Sequence, residues 1–185
     1  MIITISGYPG AGKTTIGKAL AKRLGYRFFS VGDLRGLMAK ERGSTIDQFN
    51  KLGEKESFTD NDADDYQGRL GREQDNMVIE SRLGFHFIPD SVKIFMQCSE
   101  DVAANRIMND TLTDRSDEFK AKSIDHQKSL IRKRIDSDKK RYGKYYGIDF
   151  SDKSQYDLVM DTSEEHSIER NVDRIIGFLK SKKHF

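Results

Sequence analysis

At 185 residues the chain has the length of one domain, enough for a real core and too little for two ordinary ones. Apolar residues make up 36% and charged ones 34%, so a lean core under a heavily charged surface is expected, while 32 basic against 30 acidic residues leave only +2, which argues against a nucleic-acid module built on a basic field. The single cysteine, Cys98, excludes an intramolecular disulfide framework and a cysteine-based metal site. No apolar stretch approaches a membrane span, and the chain enters an apolar strand with no basic leader, so a cytoplasmic protein is the expectation.

Ile2-Ile3-Thr4-Ile5 is a β-branched run of the kind that forms a buried strand. Behind it, Gly7-Tyr8-Pro9-Gly10-Ala11-Gly12-Lys13-Thr14-Thr15 fits the phosphate-binding pattern G-x-x-x-x-G-K-[ST]. Ile16, Ala19, Leu20 and Leu24 then line one face of a helix that Gly25 can close. Strand, glycine loop and helix in that order are the context in which backbone N–H groups and a helix N-terminus converge on a polyphosphate. Lys13 is placed to reach the β- and γ-phosphates of ATP, and the Thr14 hydroxyl to ligate Mg²⁺.

Tyr26 to Ser30 reads as a second strand, completing a βαβ unit and hence a parallel sheet, and is expected beside the phosphate loop. From Asp33 to about residue 75, short helices interrupt the alternation: one carrying Leu34, Leu37 and Met38, one opened by a capping box at Ser44-Thr45-Ile46-Asp47 with Phe49 and Leu52 inward, and one starting near Thr59. This stretch is expected as an insertion over the sheet edge. Met77 to Glu80 and Val92 to Cys98 are further strands, with Cys98 as a small buried filler. Ser99 caps a helix through Arg106. Residues 109–143 are almost wholly polar and read as a solvated helical hairpin or lid. Tyr156 to Met160 is the last strand, and Ile168, Val172, Ile175, Ile176 and Leu179 repeat at helical spacing. The expected fold is α/β in three layers, with about five parallel strands and nucleotide bound at their carboxyl ends.

Three places bear on a second ligand. Asp33 and Arg35 follow the second strand and offer an acceptor and an anion-binding fork, or else a helix cap and an exposed arginine. Glu80 and Arg82 follow another strand, Glu80 placed to support Mg²⁺ through water and Arg82 to hold an acceptor phosphate. Arg134, Asp138 and Arg141 fall at i, i+4 and i+7, so two guanidiniums and an orienting carboxylate share one helix face; such a face suits a lid over a transferring phosphoryl group, although a run like this is more often a solvated helix.

Ser30-x-Gly32-Asp33, Glu80-x-Arg82-Leu83, Asp138-Lys139-Lys140-Arg141-Tyr142, Tyr145-Tyr146-Gly147-Ile148-Asp149 and Tyr156-Asp157-Leu158-Val159 follow the phosphate loop in order. Together they resemble the short, archaeal-type cytidylate kinases among the P-loop nucleoside monophosphate kinases. The resemblance implies phosphoryl transfer from ATP to CMP or dCMP with Mg²⁺, with Asp33, Arg35 and Arg82 at the monophosphate. It places Lys13, Arg106, Arg134, Asp138 and Arg141 around the phosphates, makes 33–75 a monophosphate-binding insertion and 109–143 a lid, and leaves a monomer as the expectation. The chain departs from the family pattern at Tyr8, at Ser81, in Leu83 to Phe87 and in the acidic stretch 60–65. The rivals are another small-molecule kinase (a different nucleotide, shikimate or dephospho-coenzyme A), an ATPase driving assembly with RNA or protein, and a regulatory nucleotide-binding module.

Overall fold

The computed structural model describes residues 1–110, 121–164 and 167–182. Strand β1 (Ile2–Gly7) is buried along its whole length because it sits mid-sheet with helices on both faces. The sheet is fully parallel in the order β2-β3-β1-β4-β5, with β2 at Arg27–Ser30, β3 at Met77–Glu80, β4 at Val92–Gln97 and β5 at Leu158–Asp161. Ile3 and Ile5 turn to one face, where α1 (Lys13–Leu24) and α8 (Ile168–Ser181) cover them. Val172, Ile175 and Leu179 of α8 are fully buried there, each contributing about 1.5–3 kcal/mol of apolar burial. Ile2, Met77 and Ile79 turn to the other face, under α2 (Val31–Glu41), α3 (Ile46–Gly53) and α4 (Phe58–Glu73). Beyond them lie α5 (Gly84–Phe87), α6 (Glu100–Met108) and α7 (Ile124–Tyr146).

Several expectations are corrected. Strand β2 does not adjoin the phosphate-loop strand: β3 lies between them, pairing with both. Glu80 therefore stands nearer the loop than Ser30 does. The cap of α2 is Ser30, whose Oγ accepts from the Asp33 amide, and the box opening α3 is Thr45 with Gln48, one residue later than expected. Phe49 is buried as expected, whereas Leu52 is 41% exposed. Cys98 lies just past β4 and is half-buried, its thiol pushed up chiefly by desolvation.

The larger correction concerns 109–143. Residues 111–120 of the expected lid lie outside the described residues. From Ile124 the chain is one 23-residue helix, and Ile131, Asp138, Arg141 and Tyr142 on it are buried. Its second half is part of the core rather than solvated, because buried charge stands where an apolar stripe would.

Among the described residues no helix is long and apolar enough to cross a membrane.

Candidate active site

The phosphate loop is shaped by backbone contacts that exclude side chains. Gly7 ends β1 at φ +137°, and a Cβ there would lie 1.9 Å from the Met96 carbonyl oxygen. Gly10, at φ +75°, packs against α6, where a Cβ would meet Ala103 Cα at 2.6 Å. Gly12 opens α1 without a side-chain cap, leaving the first-turn N–H groups to an anion. Tyr8 contributes backbone: its N–H donates to Met96 and its carbonyl accepts from Lys13 Nζ at 2.8 Å. The Tyr8 ring turns away to pack edge-on against Phe95, with centroids 5.2 Å apart. That accounts for a large residue where the family pattern has a small one.

Thr14 Oγ1 donates to Glu80 Oε2 at 2.8 Å, and Lys13 Nζ lies 4.0 Å from the same carboxylate. Thr14 and Glu80 are hard oxygen donors, the type magnesium selects when it takes one or two protein ligands and completes its shell with phosphates and water. Among the described residues no group of three or more His, Cys, Asp or Glu is arranged to hold a metal.

Beside the phosphate loop, Arg106 reaches from α6 to the Thr162 carbonyl at 2.6 Å, the Thr162 hydroxyl at 3.1 Å and the Gly10 carbonyl at 3.4 Å. Thr162 lies just past β5, fully buried, and its hydroxyl is also 3.1 Å from the Ala11 carbonyl. No local pattern around Thr162 points to this role. Thr162 ties the loop, the sheet and Arg106 together because strand order places the end of β5 beside that of β4.

Elsewhere in the site, five charged residues alternate in sign through the interior. Arg35 donates to Asp60 at 2.7 Å, Asp60 accepts also from Arg141, Arg141 donates to Asp138 at 2.5 Å, and Asp138 accepts from Arg82 at 3.0 Å. Arg82 continues to the Gly7 carbonyl at 2.6 Å and lies over the Phe150 ring. Burial alone would push the Asp138 carboxyl up, but Arg141, Arg82 and Arg134 outweigh it and hold it below the usual carboxylate range. Arg35, expected as an anion-binding fork or else as an exposed arginine, is buried against Asp60, the Asn50 amide and the Thr59 carbonyl. Arg141 is 1% exposed, and its Nε finds no acceptor among the described residues. An orphaned buried donor costs about 1–3 kcal/mol, a cost that a site for anions explains.

Asp60 was missed in the sequence. Asp60, Ala63, Asp64 and Gln67 fall at i, i+3, i+4 and i+7 and form the buried stripe of α4. A search for apolar periodicity passes over a stripe with one apolar member.

The charged groups of both networks border one cleft of about 990 Å³ at the carboxyl ends of β1, β2 and β3. Pro9, Gly10, Gly12, Lys13, Thr14, Thr15, Glu80 and Arg106 line it, and so do Asp33, Arg35, Asp60, Asp64, Arg82, Arg134, Asp138 and Arg141. Of the residues expected at the site, Gly7, Tyr8 and Ala11 support the loop from behind without lining the cleft.

The cytidylate kinase-like family matches this sequence over residues 2–164. The cytidylate kinase of Methanocella arvoryzae is 35% identical over 164 residues, covering 89% of each chain. The S-adenosylmethionine-dependent nucleotide dehydratase of Lacinutrix mariniflava is also 35% identical over 164 residues, 88% of this chain but only 32% of that protein, so the chain spans about a third of that relative. Among solved structures, shikimate kinase from Bacteroides thetaiotaomicron superposes with a TM-score of 0.68 over 97% of this chain and 98% of its own, at 21% identity, a likeness of fold.

Proposed function

The chain belongs to the cytidylate kinase-like family, and from that premise we propose that it transfers the γ-phosphoryl group of MgATP to CMP or dCMP, giving the diphosphate and ADP. At the coarser level it is an ATP-dependent nucleoside monophosphate kinase. The observation that carries the phosphoryl-transfer reading is that Arg35, Arg82, Arg134 and Arg141 line the same cleft as Lys13 and Thr14; the choice of CMP or dCMP rests on the family and on relatives such as the Methanocella arvoryzae cytidylate kinase.

The nucleophile is the acceptor's own phosphate, whose second pKa of about 6 leaves it largely dianionic at neutral pH. No strong general base is needed, and the protein's task is to bring two polyanions together and neutralise them. In this reading Lys13 and the N–H groups of the loop hold the donor phosphates, and Arg106 braces the loop from behind. Thr14 and Glu80 would hold magnesium, which would supply charge neutralisation for the donor phosphates when bound. Asp33, Arg35 and Arg82 face the acceptor phosphate from the insertion 33–75 and the end of β3. Arg134 and Arg141, oriented by Asp138, stand where charge builds up between donor and acceptor.

The test is coupled ADP release with CMP, dCMP, UMP, AMP, shikimate and dephospho-coenzyme A, each with MgATP. CMP or dCMP should give the highest kcat/KM. Shikimate or dephospho-coenzyme A leading the panel would overturn the proposal.

A further inference from the structure

Asp64 stands apart from the ion chain. It lies one helical turn after Asp60 on α4, is 7% exposed and lines the acceptor part of the cleft. Both of its hydrogen bonds come from uncharged side chains: Gln67 Nε2 donates to Oδ1 at 2.5 Å and the Tyr146 hydroxyl to Oδ2 at 2.7 Å. An ionised carboxylate has about four lone-pair sites, so these two donors leave acceptor capacity unused. Nothing in the transfer chemistry employs it. Asn50 borders the same cleft, and its Oδ1 accepts from Arg35 at 3.1 Å, which turns the amide so that its NH₂ group is the end left to donate.

Asp64 and Asn50 line the same cleft, so a pyrimidine ring lying between them would meet an acceptor and a donor. Cytosine carries a complementary edge, an exocyclic N4 amino donor beside the N3 acceptor; uracil carries O4 and N3–H, the reverse. Resting on the nucleoside monophosphate kinase reading above, we propose that Asp64 is the specificity-determining residue of the acceptor site, accepting from N4 of cytosine, with Tyr146 and Gln67 fixing its carboxylate and Asn50 donating to N3. Uracil then sets O4 against a carboxylate that has no proton to offer. One such base contact corresponds to roughly 10- to 100-fold discrimination.

The surroundings of the carboxylate favour a second readout. Burial, the largest influence, and the nearby Asp60 push Asp64 up, the Tyr146 and Gln67 hydrogen bonds and Arg35 pull it down, and the outcome is about 7. Arg141 and Tyr142 on α7 face Asp60 and the core, and His86 of α5 faces the Tyr146 ring, 6.2 Å between centroids. Once protonated, Asp64 can donate to O4 and the preference for cytosine fades. CMP and UMP carry the same phosphate, so its titration cancels in their ratio.

The experiment is the ratio of kcat/KM for CMP to that for UMP, measured between pH 5.5 and 8.5 in wild type, Asp64→Asn and Tyr146→Phe. In wild type the ratio should fall as pH drops through about 7. In Asp64→Asn it should be reduced roughly 10- to 100-fold at pH 8 and lose its pH dependence, with the KM for ATP unchanged. Tyr146→Phe should weaken CMP more than UMP. A pH-independent wild-type ratio overturns the assignment even if Asp64→Asn does not fold. An Asp64→Asn enzyme that keeps the wild-type ratio, or loses both substrates equally, overturns it while leaving the kinase reading intact. Wild-type enzyme that phosphorylates neither pyrimidine overturns both.

Discussion

Replacing Asp60 by alanine removes the carboxylate between two buried guanidiniums. Asp60 is 2% exposed, and Arg35 and Arg141 are 7% and 1% exposed. After the change Arg35 keeps Asn50 and the Thr59 carbonyl, and Arg141 keeps Asp138, but two like charges face each other across a cavity with one compensating anion gone. Breaking a buried, hydrogen-bonded ion pair costs about 3–5 kcal/mol, against about 0–1 for an exposed pair. At roughly 2–4 °C per kcal/mol for a domain of this size, Tm should fall by about 6–20 °C. The chain has no tryptophan, so far-UV circular dichroism during urea and thermal unfolding is the suitable probe. A cycle with Arg35→Ala isolates the coupling, because removing Arg35 first should make the loss of Asp60 much less costly. A loss below about 1 kcal/mol would mean that water reaches the chain of charges, and the account of a preorganised acceptor site would fail.

Arg82→Ala should raise the acceptor KM roughly 10- to 100-fold, the loss of one or two charge-assisted hydrogen bonds, with a much smaller effect on ATP; equal changes would remove Arg82 from the acceptor phosphate. Thr162→Val leaves Arg106 and the Ala11 carbonyl without the hydroxyl and should raise the KM for ATP about 5- to 100-fold; an unchanged KM refutes the bracing role. Asp64 supplies a stability prediction with a definite sign. Its carboxyl rises from 3.8 to about 7 on folding, so the native state binds more protons than the unfolded chain across that window, and the stability it contributes is full below about pH 4 and lost as pH rises through about 7. At about 1.4 kcal/mol per unit the span is at most about 4 kcal/mol. Asp64→Asn should therefore gain on wild type between pH 4 and 8, and a constant difference over that range contradicts the raised carboxyl.

Where a local pattern determines a local structure, the sequence was readable. The β-branched run, the glycine spacing and the Gly25 cap located β1, the phosphate loop and α1 to within a residue or two, and the apolar repeat located α8. Strand order was not readable, since the pattern inside β2 says nothing of its neighbour. The acceptor side was half legible. Arg82 could be named from its place at a strand end and Arg134, Asp138 and Arg141 from their spacing, but not that Asp138 and Arg141 are buried, because their partners lie 56 and 81 residues away. A charged side chain enters a core only where a distant one neutralises it, and local periodicity carries no record of that. The acidic stretch 60–65 hid two buried carboxylates in this way. Leu52 failed in the opposite direction: apolar at helical spacing, it faces solvent.

The most direct test of the account is phosphorus NMR of enzyme, MgATP and CMP, followed in parallel with enzyme and MgATP alone. The account predicts equimolar CDP and ADP when CMP is present and neither product without it. Inorganic phosphate and ADP at the same rate in both samples would contradict it and make the protein an ATPase.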